Sequence, residues 1–181
     1  MNIRRIVVGT GQNGNGEIVS DTAAVKGITL DALPGFESAL FWATSAQAIV
    51  GPGVPHNSER TVGSIPLVGE TRLNIVSIPP DSMMAQPEFD GAAFGKELYE
   101  KMPEFASTFE VNEPGMHRTD SIDYALLLEG EVVLELGDGQ KIQLNKHDVV
   151  VQHGNKHAWR NVSNKTALIL FVLVGANRLI K

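Results

Sequence analysis

The sequence predicts an all-β fold, an antiparallel sandwich or barrel carrying one short helix. Three observations carry that prediction. Short runs rich in Val, Ile, Leu and Tyr recur along the chain, separated by Gly, Pro, Asn and Asp turns. Residues 131–136 alternate Glu with Val or Leu, the period-two pattern of a strand with one wet face. Only residues 91–102 repeat apolar side chains at helical spacing. Sequential strands joined by tight turns close into a sandwich or a barrel.

Taken in order, residues 4–8 and 17–20 flank the turn-rich stretch GTGQNGNG and predict a hairpin. Residues 39–44 predict a further strand. The stretch VGPGVPHNSERTVGSIPLVG holds Gly and Pro too densely for regular structure, so it reads as a long surface loop that includes His56. Residues 71–78 predict a strand, ended by Pro79 and Pro80. The helix over 91–102 sets Ala93, Phe94, Leu98 and Met102 at helical spacing, with Asp90 as N-cap and Pro103 as stop. It either packs outside the barrel or closes over a site as a lid. Beyond Phe105 the signal is all β. Asp120 and Ser121 read as a turn before a strand that starts at Asp123, and further strands follow over 131–136, 141–144, 149–151, 158–162 and 168–174.

A chain of 181 residues with 43% apolar content fits one domain, 1–181, with a sizeable core. Residues 1–70 read as strands and a loop that extend the barrel, and 71–181 as its core. There is no internal repeat. Against 15 Lys and Arg stand 21 Asp and Glu, a net charge of −6 with no basic stripe, which speaks against nucleic acid as a partner. Cysteine is absent, so any metal must rest on His, Asp, Glu or Asn. The apolar run near the start, Ile6 to Val8, is far shorter than a signal segment, and no stretch approaches the roughly 20 apolar residues of a membrane span. The expected location is the cytoplasm, with no membrane partner.

Histidines cluster in the β-rich half, at His117, His147, His153 and His157, with aspartates nearby. Clustering of that kind is what a His-plus-carboxylate metal site requires. Two stretches there, PGMHRTDSIDYALLLEGE and KHDVVVQHGNKHAWRN, resemble the two sequence motifs of the cupin superfamily. In the first motif the family usually has His, one residue, His, three or four residues, Glu, then six residues and Gly. Counted back from Gly130, Asp123 stands in the place of that Glu, Thr119 in that of the second His and His117 in that of the first. The second motif usually runs Gly-Asp, about six residues, Pro, one residue, Gly, two residues, His, three residues, Asn. Asp148, Gly154, His157 and Asn161 keep that register, while His147 and Gln152 replace its Gly and Pro. The resemblance covers roughly the last seventy residues.

It implies a jelly-roll barrel, an antiparallel double-stranded β-helix, with a divalent metal on His117, Asp123 and His157. Thr119 would be a weak ligand or a hydrogen-bond partner behind the ligands. On an extended chain His117, Thr119 and Asp123 share parity and point to one face. Two imidazoles and one carboxylate leave open positions on Fe, Mn, Ni or Zn. His153 is a candidate acid or base beside the metal, and His147 a rim residue. Met116, Tyr124, Trp159 and Phe171 are candidate walls of a small-molecule pocket or else barrel core, and Arg118 or Arg160 is placed to hold a substrate carboxylate. Trp159 shares parity with His157; Arg160 does not. The function implied is a metal-dependent enzyme acting on a small organic substrate as lyase, isomerase, decarboxylase or dioxygenase. The alternative is a non-catalytic small-ligand-binding or sensor protein. The resemblance also implies a homodimer, joined through barrel edges or through the N-terminal hairpin.

Overall fold

In the computed structural model, which describes residues 1–54 and 63–179, the Gly, Pro and Asn turns separate short antiparallel strands. In chain order these are β1 (Arg5–Thr10), β2 (Gly16–Thr22), β3 (Ile28–Thr29), β4 (Glu37–Thr44) and β5 (Thr71–Ile78), then β6 (Ser121–Glu129), β7 (Val132–Leu136), β8 (Lys141–Leu144), β9 (Val149–His153), β10 (His157–Arg160) and β11 (Ala167–Gly175). A 3-10 turn at Asp81–Met83 and two helices, α1 (Gly91–Lys101) and α2 (Pro103–Ala106), lie between β5 and β6. The strands form a six-stranded sheet in the order β3-β4-β5-β11-β6-β9, a three-stranded sheet β10-β7-β8 and the separate hairpin β1-β2.

The run ALILFVLVG of β11 is apolar throughout because the strand is covered on both faces, flanked by β5 and β6 near the middle of the large sheet. On one face Ile169 packs with Ala125 and Leu127 of β6 and with Val132 and Leu134 of β7, so the interior lies between the two sheets. On the other, Leu168 and Leu170 meet Val25, Phe41 and Ile75, with Met1 and Ile3 against them. The N-terminal residues therefore cover the back of the large sheet. No helix among the described residues is long and apolar enough to cross a membrane.

Several sequence expectations need correction. Ser121 is not in a turn: it begins β6 and pairs with Gly175 of β11. Strand β3 was not expected, since two residues carry no periodic signal. Strands β3 and β4, from the first 70 residues, join the large sheet beyond β5 at its end. The helix ends at Lys101 with Met102 as its C-cap, and α2 follows at once. Residues 55–62, with His56 among them, lie outside the described residues.

Helix α1 begins as expected, Asp90 Oδ1 accepting from the backbone N–H groups of Ala92 and Ala93. Its Leu98, with the C-cap Met102, packs with Leu30 and Leu33, and Phe94, Phe105 and Phe109 join that cluster. Glu97 accepts from the backbone N–H groups of Asp31 (2.8 Å) and Ala32 (2.9 Å), which ties α1 to the segment before β4.

Candidate metal and ligand site

Chain alternation builds the site. From 117 to 123, His117, Thr119, Ser121 and Asp123 are buried, while Arg118 and Asp120 are exposed. The same segment passes from one sheet to the other. At its start His117 and His157 exchange both backbone hydrogen bonds (2.9 and 3.0 Å), an antiparallel bridge that extends the small sheet. At its far end Ile122 and Asp123 are paired within the large sheet, Asp123 between Leu173 of β11 and Gln152 of β9. The site thus lies between the sheets, fed by β6, β9 and β10.

The two imidazole rings lie 4.4 Å apart, centroid to centroid. His117 Nδ1 is 3.0 Å from the carbonyl of Gly115 and His157 Nδ1 is 3.0 Å from that of Asn155. A carbonyl only accepts, so each Nδ1 carries the proton and each Nε2 keeps its lone pair. Burial pushes His117 down to about 4, with the neighbouring His157 adding to the effect. His157 is also lowered by burial, the Asn155 carbonyl and the Asp123 charge pulling the other way. Both rings are neutral at pH 7.

Burial raises the Asp123 carboxyl, against the hydrogen bond from Ser121. Ser121 donates to Asp123 Oδ1 (2.6 Å) and shares a 2.7 Å hydrogen bond with Thr119 Oγ1, which lies 3.5 Å from Oδ2. No Lys or Arg pairs with Asp123 among the described residues. Gln152, only 3% exposed, sets Nε2 3.1 Å from His157 Nε2 and accepts from Asn155 Nδ2 (3.1 Å). Among the described residues no group of three His, Asp or Glu side chains gathers closely enough to hold a metal ion. What the structure draws together is a His pair, with a carboxylate and an amide on neighbouring strands.

Aromatic side chains wall the His pair. Phe105 and Phe109 lie 5.5 and 5.0 Å from the His117 ring; Trp159 meets His157 edge-on at 5.9 Å, and Phe171 backs Trp159 at 5.3 Å. Met116 is buried. A cavity of about 790 Å³ opens beside them, reaching Phe109, Thr119, Arg118, Arg72, Glu104 and Arg178 among its lining residues. Arg118 lines it while paired with Glu110 at 3.1 Å, whereas Arg160 is bound to Glu135 at 2.7 Å.

Two candidates face away. Tyr124 is 47% exposed, since it follows the inward Asp123, and His153 is exposed because it follows the inward Gln152. His147 is exposed in the turn before β9 with φ +78°, a left-handed conformation that explains why the related motif has Gly there. Sequence reasoning missed Ser121 and Gln152. Parity alone would have turned Ser121 inward with Thr119 and Asp123.

No family model matches the chain. Among curated proteins, it is 51% identical over 49 residues to the phomopsin biosynthesis cluster protein C' of Diaporthe leptostromiformis, covering 27% of this chain and 26% of that protein. It is 39% identical over 69 residues to the oryzines biosynthesis cluster protein J of Aspergillus oryzae, covering 38% of each. To the cupin-domain-containing oxidoreductase srdB of Neurospora crassa it is 38% identical over 81 residues, covering 44% of this chain and 40% of that one. The chain spans about a quarter to two fifths of the length of the curated relatives it matches. Among solved structures, the cupin domain of Schizosaccharomyces pombe Cnp3 overlays with a TM-score of 0.48 at 9% identity, over 97% of this chain and 89% of that one. With its antiparallel strands arranged in facing sheets, and with relatives of that domain type, this chain has the fold of the cupin superfamily.

Proposed function

We propose that this protein is a metal-dependent cupin enzyme acting on a small organic substrate, with His117, Asp123 and His157 holding a divalent ion. One observation carries the reading. Both imidazoles give their Nδ1 proton to a backbone carbonyl, so two neutral rings offer Nε2 lone pairs near a buried carboxylate that has no cationic partner among the described residues. Backbone carbonyls fix ligating histidines in this way, and a buried carboxylate is costly until a cation offsets its charge. The donor set suits Fe, Mn, Ni or Zn. A bound ion would supply a Lewis acid with positions left open for substrate.

The chain's own residues do the rest. Ser121 and Thr119 hold the Asp123 carboxylate in one orientation, and Phe105, Phe109 and Trp159 keep water from the rings. Substrate enters by the cavity that reaches Thr119, where Arg118 receives an acidic group. Relatives named as oxidoreductases and as members of biosynthesis clusters favour redox chemistry on a biosynthetic intermediate. The protein acts in the cytoplasm, as a homodimer, without nucleic acid or membrane. A second reading, a non-catalytic small-ligand binder or sensor, draws support from the Gln152 amide, which occupies the His157 Nε2 lone pair.

Metal analysis of the purified protein tests the assignment. Wild type is expected to carry close to one equivalent, and His117→Ala and His157→Ala to lose most of it while keeping the β-sheet circular dichroism spectrum. Variants that carry as much metal as wild type would overturn the ligand assignment. Metal-loaded protein that turns over none of a panel of oxo acids, diketones and phenols would move the reading to the binding alternative.

A further inference from the structure

Among the described residues five arginines pair with a carboxylate, and four of those pairs are closed by hydrogen bonds of 2.5 to 2.7 Å. The exception is Arg118 with Glu110. Their charged atoms lie 3.1 Å apart, the side chains are 55% and 28% exposed, and neither side chain makes a hydrogen bond among the described residues. A guanidinium carries five N–H donors and a carboxylate four acceptor positions, so this pair keeps nearly all of its bonding capacity unspent. Backbone hydrogen bonds from Glu110 to Met116 and from Arg118 to Thr108 run residues 108–110 antiparallel to 116–118. Glu110 and Arg118 are therefore diagonal neighbours on that ribbon, whose central pair is Phe109 and His117, with rings 5.0 Å apart. Both charges line the cavity of about 790 Å³, as does Thr119, whose hydroxyl bonds Ser121 beside Asp123.

We propose that Arg118 and Glu110 recognise the head group of an α-amino acid, its carboxylate on the guanidinium and its ammonium on the Glu110 carboxylate, a reading that rests on this cavity being the way in for substrate. The charges around the cavity favour a ligand that bears both signs. Arg72, Arg118 and Arg178 line it against Glu70, Glu104, Glu110 and Asp120. Arg72 and Arg178 are already hydrogen-bonded to Glu70 and Asp120, which leaves Arg118 as the guanidinium with donors to give. A plain anion would meet more carboxylate than guanidinium there, on a chain of net charge −6. A plain cation would take Glu110 and strand Arg118. An amino acid carries both charges on one carbon, so each member of the pair exchanges its present partner for an opposite charge on the ligand. An exposed ion pair contributes little, and opening it costs little. In return the guanidinium gains two parallel N–H bonds to a carboxylate, and Glu110 gains ammonium donors. Ile65, Pro66, Leu67 and Phe109 supply apolar wall to the same cavity, which suits a large apolar side chain.

The test is calorimetric titration of the full chain, stripped with chelator, with three probes. They are L-phenylalanine, 3-phenylpropanoate, which lacks the ammonium, and phenethylamine, which lacks the carboxylate. Wild type is expected to bind phenylalanine at least about tenfold more tightly than either analogue. Glu110→Gln is expected to remove the preference over 3-phenylpropanoate, and Arg118→Met the preference over phenethylamine. Equal binding of phenylalanine and 3-phenylpropanoate by wild type would make this a receptor for plain acids and overturn the proposal. Variants that weaken all three probes alike would overturn it too, as would a wild type that binds none of them. His117→Ala separates this site from the metal, since it is expected to keep phenylalanine binding while losing the ion. A wild type that holds an ion but does not discriminate among the probes leaves the metal reading standing and ends this one; full discrimination by a chain that holds no ion does the reverse.

Discussion

Asn161 shows how much one buried side chain can hold. It is fully buried, and its Nδ2 donates to the carbonyls of Ile78 and Lys165 (2.8 Å each) while its Oδ1 accepts from the backbone N–H and the hydroxyl of Ser163. Its backbone N–H donates to Asp81, so the end of β5, the end of β10 and the turn into β11 are joined at one point. Asn161→Ala removes both donors and leaves two carbonyls without partners. The expected loss is about 2 to 4 kcal/mol, read as a lower urea midpoint with the m-value unchanged. A variant as stable as wild type would show that water replaces the amide. The asparagine stood in register in the second motif, but its bonding was not legible, because its partners lie 83 and 4 residues away in sequence. Alternation, by contrast, is a local property, and it sets His117, Thr119 and Asp123 together on the buried face. The same rule applied one residue on would have placed Tyr124 and His153 outside. Gln152 escaped because polarity at a motif position that is usually proline says nothing of what lies across the sheet.

Strands bounded by Gly, Asn and Pro were legible as elements because turn chemistry is local, and so was α1, whose Asp90 cap and apolar spacing are both encoded within a dozen residues. What α1 packs on was not, since Leu30, Leu33 and the backbone of Asp31 and Ala32 come from sixty residues earlier. That contact gives α1 a pH dependence. The ion pair and hydrogen bond with Lys101 (2.6 Å), and then the N–H groups of Ala32 and Asp31, hold Glu97 at about 2, well below its ordinary 4.5. A depressed carboxylate contributes stability that is fully present above its unfolded value and is lost as pH falls through its folded one. The window is therefore pH 4.5 down to 2. Glu97→Gln is expected to melt below wild type at pH 7, with the gap narrowing at pH 3, when followed by circular dichroism. A gap that stays constant with pH would mean that Glu97 acts only as a neutral acceptor. Its tie also bears on the site, because α1 leads directly into α2, and Phe105 of α2 covers His117.

At the scale of the whole molecule, β9 is where the structure is least complete by itself. It is the last strand of the six-stranded sheet, and no strand pairs with its far edge among the described residues. Its outward side chains are apolar: Val149 and Val151 are 66% and 53% exposed, and Tyr124, the cross-strand partner of Val151, adds its ring to the same face. An apolar edge strand without Lys or Pro to guard it invites a second strand, and antiparallel pairing about a twofold axis lets an identical edge supply it. The hairpin β1-β2 exposes Ile6, Val8 and Ile18 as well, but it is a two-stranded ribbon outside the large sheet and offers a less rigid surface. Light scattering on the purified protein is expected to give twice the 19.5 kDa chain mass. Val151→Lys places a solvated charge on the β9 face and is expected to give the monomer, whereas Val8→Lys on the hairpin leaves the dimer intact. If the hairpin variant dissociates and the β9 variant does not, the contact belongs to β1-β2; a monomeric wild type ends the edge-pairing argument. Because Gln152 is on β9, three residues along from Val149 and facing inward, a dimer formed there would also brace the strand that carries it.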